Sequence, residues 1–147
     1  MKRNARFSVL VADDEYVISR CVSFMLKKEG FDCRAVSDGL SALETMREDP
    51  PDMLILDLDM PRLNGYQVCE QMRLEDALRD VHVLVLTAKG QPITRNWRSR
   101  IAADHFMLKP FDPRVLLEHV RSVAAGETAE SGDEEATGDR EPVGARA

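Results

Sequence analysis

Met53-Leu54-Ile55-Leu56-Asp57-Leu58-Asp59-Met60-Pro61-Arg62-Leu63-Asn64-Gly65 is the stretch on which the reading of this chain turns. Residues 53–58 are apolar apart from Asp57, the pattern of a strand covered on both faces. A carboxylate in such a run costs several kcal/mol unless it is paired or bound to a metal. Pro61 to Gly65 then reads as a loop, because proline, asparagine and glycine punctuate the chain. In an open parallel sheet the reactive crevice lies beyond the carboxyl ends of the strands, so Asp57 falls where chemistry is done.

Outward from this strand, apolar β-branched runs alternate with amphipathic stretches. Towards the amino terminus, Phe7 to Ala12 is strand-like, and Glu15 to Glu29 carries Ile18, Cys21, Val22, Met25 and Leu26 on one helical face. Gly30 stands where a helix terminates. Phe31 to Val36 alternates as a second strand, Asp38 caps a helix through about Arg47, and Pro50-Pro51 forbids its continuation. Towards the carboxyl terminus come a helix from Tyr66 to about Glu75, a strand Val81 to Leu86 and a helix from Pro92 to about Ile101. A strand His105 to Leu108 and a helix from Pro113 to Ala124 complete the series. Strict alternation implies right-handed crossovers and an α/β three-layer sandwich with a parallel five-stranded sheet. Trp97, with Ile93 and Ile101 at helical spacing, reads as core.

Composition limits the alternatives. A hydrophobic fraction of 44% and a charged fraction of 31% are those of a soluble globular chain. No run approaches the roughly 18 apolar residues of a membrane span, and the basic start lacks the apolar core of a signal peptide, so the cytoplasm is expected. Cys21, Cys33 and Cys69 lack ligand spacing and read as reduced thiols; His82, His105 and His119 share none either. Between Gly126 and Ala147 seven acids stand against two bases, which leaves the body near neutrality without a basic stripe for nucleic acid. Residues 1–125 are therefore expected to form one domain. Residues 126–147 read as a disordered acidic tail, or a linker to a missing domain.

Four segments carry chemistry, each at a strand end: Ser8 to Glu15 (SVLVADDE), Leu54 to Gly65 (LILDLDMPRLNG), Val83 to Ala88 (VLVLTA) and Phe106 to Phe111 (FMLKPF). Asp13, Asp14 and Asp57 beside Lys109 make an oxygen-rich site suited to a hard divalent cation. In order and separation these segments resemble the response-regulator receiver domains of two-component signalling, chemotaxis-regulator-like in size, and the resemblance covers residues 7 to 124. It implies the flavodoxin-like (βα)5 fold with strand order 2-1-3-4-5.

The resemblance further implies a phosphoacceptor switch whose only chemistry is self-phosphorylation and self-dephosphorylation. Asp57 would take a phosphoryl group from a histidine kinase or histidine phosphotransfer protein. Asp14 and Asp57 would hold Mg²⁺ directly, Asp13 through water, with the Asp59 backbone carbonyl as a further ligand and Mn²⁺ able to substitute. Thr87 and Lys109 would bind the phosphoryl group, and Phe106 matches the switch aromatic. Asp59 and Lys89 would tune phosphoryl lifetime. Output would pass from the face made by the helix 92–101, the fifth strand and the last helix to a partner or effector domain; a phosphorylation-linked homodimer stays open. In this family the peptide at Lys109-Pro110 is cis, and Ala102 replaces a common glycine. Rival readings are a pseudo-receiver binding module and a DxD-type phosphatase of the haloacid-dehalogenase kind, which leaves Asp13 and Asp14 unexplained. Asp13 and Asp14 also have a plain reading as helix caps.

Overall fold

Each apolar run becomes a strand of one parallel sheet. The computed structural model describes residues 6–88 and 103–126. They form β1 (Ser8–Ala12), α1 (Tyr16–Lys28), β2 (Asp32–Val36), α2 (Gly39–Glu48), β3 (Met53–Asp57), α3 (Gly65–Leu74), β4 (His82–Ala88), β5 (His105–Lys109) and α4 (Pro113–Ala124). The strand order is β2-β1-β3-β4-β5, all neighbours parallel, as the sequence predicts. The expected helix 92–101, with Ile93, Trp97 and Ile101, lies outside the described residues, as do Lys89, Ala102 and most of the acidic tail.

Successive side chains of a strand point to opposite faces, and this period sorts the core into two layers. Leu10, Leu54, Leu56, Val83 and Val85 pack with Leu43 and Met46 of α2 and Val68 and Met72 of α3. Val9, Val11, Ile55, Leu84, Leu86 and Met107 pack with Val22 and Leu26 of α1 and Leu116 and Val120 of α4. Strands β1 and β3 are buried at every residue, which accounts for their unbroken apolar runs.

Local chemistry fixes the helix ends. The Asp38 carboxylate accepts the Ser41 N–H at 2.7 Å, the cap expected from sequence. Asn64 and Gln67 form a reciprocal capping box at α3, and Asp112 caps α4 ahead of Pro113. Gly30, at φ 96°, ends α1 in the left-handed conformation that glycine tolerates. Strands β3 and β5 end at Asp57 and Lys109, as expected, whereas β4 runs one residue past Thr87 to Ala88. Pairing of Thr87 with Leu108 and of Ala88 with Lys109 carries the polar Thr87 and Lys109 into the ladder.

Candidate functional site

Four strand ends converge on one crevice of about 460 Å³, walled by Asp14, Glu15, Asp57, Asp59, Met60, Pro61, Ala88 and Lys109. Alternation explains the convergence. Counted in twos from Val11, Ile55 and Met107, the residues Asp13, Asp57 and Lys109 fall on the α1–α4 side of the sheet. Asp13 and Asp57 are buried, and Asp14 is exposed at the rim. A carboxylate oxygen from each of the three lies within 4.8 Å of the others. The Lys109 ammonium stands 3.1 Å from Asp13 Oδ2 and 3.6 Å from both Asp57 Oδ2 and Glu15 Oε2.

The electrostatics follow from this crowding. Burial and the neighbouring Asp13 push the Asp57 carboxyl up to about 6, although Lys109 and the Asp59 N–H pull the other way. For Lys109, burial alone would lower the pKa, but the fields of Asp57, Asp13 and Glu15 outweigh it and hold the ammonium above its ordinary value. One lysine leaves three clustered acids short of positive charge. Mg²⁺ ligands sit about 2.0–2.1 Å from the ion, so opposite ligands lie roughly 4.2 Å apart. Carboxylates within 4.8 Å of one another fit such an ion when one or two bind directly and another through water.

The remaining predicted residues surround this centre. Asp59 donates its N–H to Asp57 Oδ1 at 3.3 Å, with its side chain exposed on the crevice wall. Thr87 is fully buried, and its Oγ1 has no hydrogen-bond partner among the described residues. Phe106 is buried, pairs with Val85, and therefore shares the α2–α3 side of the sheet with Thr87. The Lys109–Pro110 peptide is cis, as expected. Asp13 also accepts the Glu15 N–H at 2.8 Å at the start of α1, so its capping contact and its place in the acid cluster coexist.

Two features escaped sequence reasoning. Glu15, the N-cap residue of α1, turns its carboxylate to Lys109 instead of capping the helix; its place beside the aspartate pair is the signal that could have found it. The three histidines, which share no sequence spacing, gather at the opposite end of the sheet. His105 and His119 stack with ring centroids 4.3 Å apart, and His82 lies 5.6 Å from His119. His82 Nδ1 also lies 3.9 Å from Asp104, which meets Arg73 at 3.6 Å.

An acid-lined crevice at the carboxyl edge of a 2-1-3-4-5 sheet agrees with the comparisons to known proteins. A family model for the response regulator receiver domain matches residues 9–121, and the chain belongs to that family. Among curated proteins, the probable transcriptional regulator ycf27 of Pyropia yezoensis is 38% identical over 120 residues, 82% of this chain and 48% of that protein. The alkaline phosphatase synthesis transcriptional regulatory protein PhoP of Bacillus subtilis (strain 168) is 34% identical over 115 residues, 78% of this chain and 47% of that protein. The chain thus spans about half the length of the curated relatives it matches. The high-resolution structure of the chemotaxis response regulator CheY4 of Vibrio cholerae superposes with a TM-score of 0.74 at 27% identity, covering 81% of this chain and 99% of that one. No helix among the described residues is long and apolar enough to cross a membrane.

Proposed function

We propose that this receiver domain takes a phosphoryl group onto Asp57 from a phosphohistidine on a histidine kinase or phosphotransfer protein, with Mg²⁺ as cofactor. The observation that carries the reading is the crevice itself. A buried carboxylate stands 3.6 Å from an ammonium, and two further acids lie close enough to share a cation with it.

An Asp57 carboxylate oxygen attacks phosphorus, the P–N bond breaks, and its electron pair leaves with the imidazole; the product is an acyl phosphate. Asp14 and Asp57 would hold Mg²⁺ directly, Asp13 through water, and the Asp59 carbonyl would add a ligand. The ion supplies positive charge against the phosphoryl oxygens. Lys109, already paired with Asp57, moves to a phosphoryl oxygen. The buried Thr87 hydroxyl turns to the new anion and vacates space that Phe106, on the same side of the sheet, follows into. This two-state coupling is of the order of 1–3 kcal/mol in such systems. Asp59, on the crevice wall, and Lys89 would tune phosphoryl lifetime.

Acetyl phosphate with Mg²⁺ should add one base-labile phosphoryl group, seen by intact mass, and Asp57→Asn should abolish it. Labelling of that variant at wild-type stoichiometry would move the acceptor elsewhere.

A further inference from the structure

The loop from Leu58 to Asn64 forms one wall of the crevice through Asp59, Met60 and Pro61. Its ends are closed by the Gly65 N–H, which donates to the Leu58 carbonyl at 3.0 Å. Its middle is held from outside. Arg62 Nη2 donates to Asp38 Oδ2 at 2.8 Å and contacts Ser41 Oγ at 3.3 Å, both on the first turn of α2. Beside them the Leu63 carbonyl lies so close to Gly39 that any Cβ there would collide with it. Asp38 serves both structures: Oδ1 caps α2 through the Ser41 N–H, while Oδ2 receives the guanidinium. The Ser41 N–H first, and Arg62 second, hold its carboxyl below the usual range.

Arg62 itself occupies a left-handed conformation, φ 69°. A non-glycine residue reaches that region at some cost, and persists there where its surroundings over-determine it. Its side chain is 55% exposed, and exposed ion pairs contribute little to global stability. The pair therefore has little stabilising work to do for the fold, yet it ties the loop that carries the crevice wall to α2.

We infer that Asp38 and Arg62 are positioning residues for the cation site, acting by clamping the β3–α3 loop to the amino terminus of α2. This rests on the reading of the crevice as an Mg²⁺ site. The guanidinium fixes the loop at its centre, and residues 59–61 are thereby held at a set distance from Asp14 and Asp57. Neither Asp38 nor Arg62 lines the crevice.

The test uses the full chain and two readouts: Mg²⁺ affinity by calorimetry, and amide exchange across residues 58–64 in metal-free protein. Arg62→Ala should weaken Mg²⁺ binding about threefold to tenfold and speed exchange in the loop, with the urea midpoint unchanged. Asp38→Asn keeps the helix cap but weakens the clamp, and should act alike. The double variant should be no worse than either single one, the mark of one shared interaction. Arg62→Lys should recover part of the affinity. Arg62→Gly, which relieves the backbone cost while removing the guanidinium, should bind as weakly as the alanine variant. Wild-type affinity and exchange in Arg62→Ala would overturn the inference, as would an affinity loss matched by an equal loss of global stability. If the wild-type chain takes up no Mg²⁺, the proposed function fails, while loop exchange in the same variants still decides the clamp.

Discussion

Two clusters of titratable side chains sit on the same α1–α4 side of the sheet, at opposite ends of its strands. At the carboxyl ends, Asp13 and Asp57 share an open crevice with Lys109, and burial raises the Asp57 carboxyl to about 6. At the amino ends, His82 and His105 begin β4 and β5 and meet His119 of α4. There burial first, then His105 and His82, pushes His119 down to about 3. Burial favours the uncharged form of Asp57 at one end and of His82 and His119 at the other. They differ in what can relieve them. The acids surround a space open to solvent, where a cation can enter. The His105 and His119 rings stack nearly in parallel, 16° apart, with His82 tilted 49° to His119.

The largest expected effect on stability separates the two ends by pH. Folding lowers the His119 pKa from its ordinary 6.5 to about 3, so the folded chain binds fewer protons in that window. Stability should fall as pH drops from about 6.5 towards 3, by about 2–3 kcal/mol once solvent screening of a half-buried ring is allowed for. His119→Phe leaves no proton to bind, and should flatten that slope in urea unfolding followed across pH. An unaltered slope would mean that the stack is not the acid-sensitive element.

A smaller effect of opposite sign belongs to the carboxylate end. Folding raises Asp57 from 3.8 to about 6, so the folded chain binds more protons in that window and loses stability as pH rises through it. At pH 7 without metal, Asp57→Asn should therefore be more stable than wild type, by about 1–2 kcal/mol. Saturating Mg²⁺ should narrow the gap by stabilising the wild type alone. A variant less stable than wild type would show that Lys109 outweighs the repulsion between the acids.

The smallest effect distinguishes a latent hydrogen-bonding group from a structural one. The Thr87 hydroxyl has no partner among the described residues, so Thr87→Val should change resting stability by less than about 0.5 kcal/mol. The same variant should blunt the amide shifts that beryllofluoride with Mg²⁺ produces around Phe106. A large stability loss would mean that the hydroxyl is already committed in the resting fold.

The same contrast explains what the sequence makes legible. Asp57 stands out because an acid interrupts an apolar run, and Lys109 because its neighbours repeat a family pattern. Strict alternation of elements implies the parallel sheet, and the family resemblance implies its order. The histidine stack is invisible in one dimension, since His82, His105 and His119 meet only through the pairing of Leu84 with His105 and the packing of α4. Arg62 gives no signal either, because a left-handed arginine reads like any loop residue until its guanidinium is seen against Asp38. Thr87 and Lys109 are legible as strand ends, and only Ala88 extends β4 beyond the expected end.

The two-residue alternation also makes the sheet a partition. Asp13, Asp57 and Lys109 lie to one side of it, and Thr87 and Phe106 to the other. Substitutions in the α1–α4 layer can alter the affinity of the crevice for charge without repacking the aromatic layer. Those in the α2–α3 layer can change how Phe106 is seated without touching a carboxylate. Inheritance can therefore vary the packing of one layer while the other is held constant.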